Sequence, residues 1–181
     1  MMKMSILGLA VSTLFVVGGA QAGTNSSDVS ATLTVSGTVT ASQSACSITL
    51  GQTSIALNAD VSNLVIQGAS TTPANSVDMV IDGDDQCKTL ASEGKMAFKF
   101  LGVADNAQGS SLANTVDGDA AAKGIGIALY DNEGTVLHIN RDTMAASSTA
   151  THLGLGLVKL DGQEAIAGSV QGALVIQIER L

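Results

Sequence analysis

The chain predicts an all-β sandwich, and three observations predict it. Apolar residues recur every second position in runs of five to nine, separated by Gly-, Asn-, Asp- and Ser-rich clusters. Twenty glycines against one proline, with abundant Thr, Ser and Val, suit strands and tight turns better than helices. After the first 22 residues no segment sustains a 3.6-residue period. Aromatics make up 2% of the chain, so the core of this sandwich must be aliphatic.

The first element, Met1 to Ala22, reads as an export signal rather than as part of the fold. It has one basic residue, Lys3, an apolar run from Ile6 to Val17, and the small-x-small pair Ala20 and Ala22. The run is too short for the hydrocarbon thickness of a bilayer, and the mature chain is expected to start at Gly23. The remaining 159 residues suffice for one domain and carry 7 basic and 16 acidic side chains, a net charge of −9. So few basic residues exclude a nucleic-acid partner.

Next, Thr32 to Val39 alternates strictly. Leu33, Val35, Gly37 and Val39 take one face and Thr32, Thr34, Ser36 and Thr38 the other. This strand stands ahead of the first cysteine, behind a small polar stretch, and has no evident partner in its own domain. Cys46 to Leu57 gives two alternating runs broken at Gly51, expected to be one strand with a bend or bulge. Ser76 to Asp82 places Val77, Met79 and Ile81 on one face, Asp82 to Asp85 turns, and Lys95 to Leu101 places Met96, Phe98 and Phe100 likewise.

Ala104 to Lys123 lacks periodicity and predicts a long exposed loop, with a helical turn at most over Asp119 to Lys123. Gly124 to Asp131 and Val136 to Ile139 form a hairpin about Asn132-Glu133-Gly134. A polar stretch from Asn140 to Thr151 separates it from strands at His152 to Leu160 and Ala173 to Leu181. The last run sets Leu174, Ile176 and Ile178 on one face and is expected to be structural up to Leu181, with no polar tail.

An exported chain with two cysteines is expected to pair them, Cys46 with Cys87, in an oxidising compartment such as the periplasm. Catalytic constellations are missing from the sequence. His138 and His152 have no metal-ligand companions, and no Gly-x-Ser-x-Gly occurs. Asp82, Asp84, Asp85 and Glu93 have partial calcium-loop spacing, but Gln86 and Cys87 occupy its fifth and sixth places, so a solvated turn is the better reading. The pairs Gly124/Gly126 and Gly154/Gly156 lack a third glycine and suggest close backbone approach rather than a phosphate site. Asn25-Ser26-Ser27 fits a glycosylation acceptor by chance. No catalytic residue, cofactor or metal is assigned.

The export signal, the alternating leader with Gly37, the Cys46 and Cys87 pair, Gly168 fourteenth from the end and the apolar terminal strand together resemble pilin subunits of chaperone-usher fimbriae, particularly major subunits of type 1 fimbriae. Lys95 to Gly102 and Gly124 to Gly134 look like the middle strands of such pilins, and Arg180 stands where the family usually has tyrosine. The resemblance implies an incomplete immunoglobulin-like β-sandwich completed by donor-strand exchange. Residues 1–22 would be the signal peptide, 23–42 the donor extension and 43–181 the pilin domain. Leu33, Val35, Gly37 and Val39 would form the donor strand. Gly168, Leu174, Ile176, Ile178 and Leu181 would form the acceptor groove and chaperone contact.

The implied partners are other copies and related pilins, a periplasmic chaperone and an outer-membrane usher, and the implied destination is the cell-surface fimbrium. A host receptor is not named by the sequence. Two other readings stay open at this point: a minor pilus component, adaptor or small tip adhesin, and a secreted monomer that folds the leader into its own sheet.

Overall fold

In the computed structural model the described residues are 46–181. The export signal, the acceptor pattern at Asn25 and the leader strand with Leu33, Val35, Gly37 and Val39 lie outside them. In chain order the elements are β1 (Cys46–Leu50), a 3-10 turn (Val61–Asn63), β2 (Val65–Ile66), β3 (Asn75–Gly83), α1 (Asp85–Ser92), β4 (Met96–Gly102), β5 (Ile125–Tyr130), β6 (Val136–Leu137), β7 (Thr143–Ala145), β8 (Thr151–Lys159) and β9 (Leu174–Arg180). The strands form two sheets. One runs β1-β3-β8-β5-β6, with β2 lying parallel along β8, and the other runs β7-β4-β9.

The period-2 pattern decides which side chains meet between the sheets. Val77, Met79 and Ile81 of β3 face Met96, Phe98 and Phe100 of β4, and Leu129, Leu153 and Leu155 complete the core. The third aromatic, Tyr130, points to the other face of its sheet. There it packs with Ala128 and Val158 under Val65 and Val136, so all six residues of β5 are buried. This second, smaller cluster exists because residues 64–73 cross the outer face of the sheet. A Cβ at Gly154 would collide with the Pro73 ring, which is why glycine stands there.

Five expectations need correction. The Asp82–Asp85 turn leads into a two-turn helix: the Asp84 carboxylate accepts the Cys87 N–H at 2.9 Å as its N-cap, and Cys87 and Ala91 bury its inner side. Eight residues are too few to display a helical period, and the reading as a turn passed over the capping aspartate. The bend at Gly51 is the end of β1 rather than a bulge within it. Beyond Gly51, whose N–H still bonds Asp78 O at 2.8 Å, no strand continues, although Ile55 and Leu57 stay half-buried between exposed neighbours.

The stretch 104–123 is no free loop. Asp105, Ser110, Ser111, Leu112 and Ala122 are buried, and Leu112 bridges to both Ala104 and Ile127. Over Asp119–Lys123 a turn is followed by bridges Ala121↔Ser169 and Lys123↔Ile166, not by a helical turn. Finally, the polar stretch 140–151 contains β7, which buries Met144 and pairs with β4.

Candidate functional site

Among the described residues the two sheets do not close at one side. β1 is the edge of its sheet and β9 the edge of the other, and β9 is laddered only to β4 among the described residues. Between them lies an open groove of ≈ 650 Å³. One wall is Leu50, Ile55 and Leu57, the floor is core residues including Leu112, Ile127 and Leu155, and the other wall is Val170, Leu174 and Ile176. A shallower cleft of ≈ 540 Å³ continues it between Cys46, Ile48, Ile176 and Ile178.

Strand alternation builds the β9 wall. Leu174, Ile176 and Ile178 are half-buried and pack on the core, while Val175 and Gln177 between them face out. On the opposite wall Ile48 and Leu50 of β1 turn inward in the same way, and Ile55 and Leu57, beyond the end of the strand, are also half-buried against the core. Such a double row of incompletely covered aliphatic side chains beside an unpaired sheet edge is unstable in water and invites another strand.

No ionisable side chain lines the main groove, whose polar lining consists of Gln, Asn, Ser and Thr. The site therefore suits an uncharged, alternating, extended segment held by main-chain hydrogen bonds. It offers nothing for acid–base or metal chemistry.

At the closed end of the groove the Cys46–Cys87 disulfide, Cα–Cα 5.6 Å, staples β1 to α1. The Arg180 guanidinium lies 3.5 Å from Cys46 Sγ and draws the end of β9 towards the start of β1. At the other end Gly168 lines the opening, but the direction its Cβ would take runs into the backbone of Ala120–Ala122, 2.6 Å from Ala121 C. Glycine is thus required there by the packed 120–122 segment. Of the sequence-predicted groove residues, Gly168, Leu174 and Ile176 line the main groove and Ile178 the shallower cleft. Leu181 stands outside both linings; its N–H bonds Lys95 O at 2.9 Å and its side chain is 72% exposed. Sequence reasoning missed Leu112, Ile55, Leu57 and Val170 as lining residues, although the Ile55/Leu57 alternation had marked an inward face.

The remaining candidates have local partners. His138 Nδ1 lies 2.6 Å from Asp142 Oδ2, and His152 pairs with Asp78. The His138 and Arg141 hydrogen bonds hold the Asp142 carboxyl below its usual range against the opposing push of burial. Asp84 caps α1 and Asp82 accepts the Gly83 N–H, which accounts for two members of the calcium-like pattern as turn chemistry. Among the described residues no three His, Cys, Asp or Glu side chains gather as a metal site.

A family model described as fimbrial protein matches residues 33–179. No curated protein sequence resembles the chain closely enough to count as a match. Among solved structures, the crystal structure of the P pilus rod subunit PapA is 17% identical, covers 84% of this chain and 100% of its own, and superposes with a TM-score of 0.52. A chaperone-usher pilus structure is 18% identical over 84% of this chain and 96% of its own, with a TM-score of 0.45. At such identity the PapA likeness speaks for the fold alone, an immunoglobulin-like pilin sandwich. With the family model spanning residues 33–179, which include the disulfide and both walls of the groove, the chain belongs to the fimbrial protein family and is a structural subunit of a pilus.

Proposed function

We propose that this subunit joins its neighbours head to tail by donating residues 32–39 into the groove between β1 and β9 of the next copy. The supporting observation is the groove itself: uncharged, walled by half-buried aliphatic residues and bordered by the unpaired edge of β9. The donor matches it in kind. Thr32 to Val39 has no charge, and its apolar face presents Leu33, Val35 and Val39 with Gly37 between them. Each copy both gives and receives, so the contact does not close and a filament grows.

On this reading residues 1–22 direct export and are removed, residues 23–42 are the extension and residues 43–181 form the receiving domain. Before assembly the groove needs a temporary cover. A periplasmic chaperone supplies one, and an outer-membrane usher is where the next subunit's leader replaces it. The protein reaches the cell surface in the fimbrium, supports adhesion there as a structural element, and catalyses nothing.

Val35→Asp puts a charge into an apolar wall and Gly37→Leu adds bulk where the donor backbone approaches closely. Each variant, like a chain lacking residues 23–42, is expected to accumulate as a soluble chaperone-bound monomer. The parent protein should give an oligomer ladder that detergent disperses only on boiling. Normal fibres from either point variant would overturn the proposal.

A further inference from the structure

Two valines at one end of the β4–β9 ladder are left open to solvent: Val175 of β9, 55% exposed, and Val103, just past the end of β4, 63% exposed. Register places them together. Leu101 pairs with Val175 across the β4–β9 ladder, and Val103 follows two residues after Leu101 on the same face. The three form an apolar patch at the Gly102/Leu174 end of the ladder, facing away from both core and groove. A strand lying in the groove beside β9 extends the sheet sideways and leaves this outer face uncovered.

The length of chain ahead of the described residues says what reaches the patch. In the strand-donation reading, on which this inference rests, a neighbour's Leu33 to Val39 lies along β9. Residues 40–45 then tether that neighbour's folded domain, with at most about 25 Å of chain between Val39 and Cys46. The strand β9 is itself roughly 20 Å long, so the neighbour's domain is held within reach of the patch whichever way the donor runs. At that distance its effective concentration far exceeds that of any protein free in solution.

The end of the domain nearest the tether also has an exposed apolar residue to offer. Because Arg180 lies against Cys46, the following Leu181 stands beside the point where the leader enters the domain. We infer that Leu101, Val103 and Val175 seat the end of the neighbouring copy that carries Leu181. This body-to-body contact accompanies the donated strand and sets the angle between successive subunits. Like strand donation it is heterologous, so it repeats along the fibre.

The experiment uses fibres of the full chain carrying Val103→Lys with Val175→Lys, compared with Val103→Thr with Val175→Thr and with Leu181→Lys. The substituted side chains at 103 and 175 point outward, and the threonine pair retains strand-forming shape as a check on folding. The lysine variants are expected to keep the boiling-dependent ladder and the chaperone complex, while electron microscopy shows fibres with a several-fold shorter persistence length. The threonine pair should fall between them and the parent. A photo-crosslinker at position 175 should capture the peptide containing Leu181 of another copy. Unchanged stiffness with an intact ladder would overturn the inference. So would loss of the chaperone complex, which would assign the patch to the chaperone, or loss of the ladder, which would assign it to strand exchange itself. Failure of strand donation is recognised separately, by normal fibres from Val35→Asp.

Discussion

Asp105 holds together the part of the chain with least regular structure. It is 6% exposed, yet its Oδ1 accepts the N–H groups of Ala107, Gln108 and Gly109 and its Oδ2 those of Ser111 and the Gln67 amide, at 2.8 to 3.1 Å. Gln67 in turn donates to Ser110 Oγ and accepts the Asp161 N–H, so one carboxylate joins three separate segments. Burial pushes the Asp105 carboxyl up, but the hydrogen bonds from Ser111, Ala107, Gly109 and Gln67 outweigh it and leave it below the usual 3.8. A carboxylate depressed on folding contributes stability that is fully present above its unfolded value and is lost as pH falls through the folded one. Stability should therefore hold at neutral pH and decline below about pH 3.8. Asp105→Asn places an amide donor among N–H donors and is expected to cost about 1 to 3 kcal/mol at pH 7 and to flatten the acid dependence. Urea unfolding at pH 7 and pH 3, on a domain complemented by its own residues 32–39 linked behind Leu181, would reveal equal losses at both pH values if the carboxylate were idle.

At the scale of elements, the disulfide does for β1 what ladder pairing does for the inner strands. Among the described residues β1 is an edge strand laddered only to β3, and the chain beyond Gly51 has no ladder, so the Cys46–Cys87 link adds a second attachment of that wall of the groove to the body. Closing a loop of 41 residues is worth roughly 4 kcal/mol through the unfolded chain. Cys46→Ser with Cys87→Ser is expected to lower the urea midpoint accordingly and to raise protease cleavage within 46–59 before cleavage elsewhere. Uniform loosening would show that the bond acts on the whole domain instead.

The elements legible in the sequence were those where burial is one-sided. β3, β4, β8 and β9 all announced themselves by alternation, which on β9 turns Leu174 and Ile176 to the groove side. What stayed illegible depended on contacts between distant segments. β7 is three residues long, α1 two turns, and the 104–112 stretch, in which Asp105, Ser110, Ser111 and Leu112 are buried, is organised by a carboxylate rather than by apolar spacing. The second wall at Ile55 and Leu57 was half legible: its inward face was visible in the alternation, but the lack of a ladder partner is a property of the fold.

For the molecule as a whole, the proposed joint matches a groove that the described residues leave open along β9 with the alternating leader sequence of the next copy. Filling the first with the second buries Leu33, Val35 and Val39, which contributes roughly 5 to 9 kcal/mol before ordering costs. It also brings a new ladder to the edge of β9 that faces away from β4, at about 1 kcal/mol for each new hydrogen bond. This makes the free-edge amides of β9 a direct reporter of the joint between subunits. In assembled fibres they should exchange slowly with deuterated solvent, at a rate set by how often the donor strand leaves. Val35→Ala removes two methyl groups from the groove-facing side, about 1.6 kcal/mol of burial, and should speed that exchange by roughly tenfold. Thr34→Ser, one residue earlier on the opposite face, should leave it unchanged, because a one-residue shift along a strand turns the side chain away from the groove. Equal acceleration by both substitutions would mean that the leader does not lie in the groove with its apolar face inward, and would break the link between the leader's alternation and the open side of the sandwich.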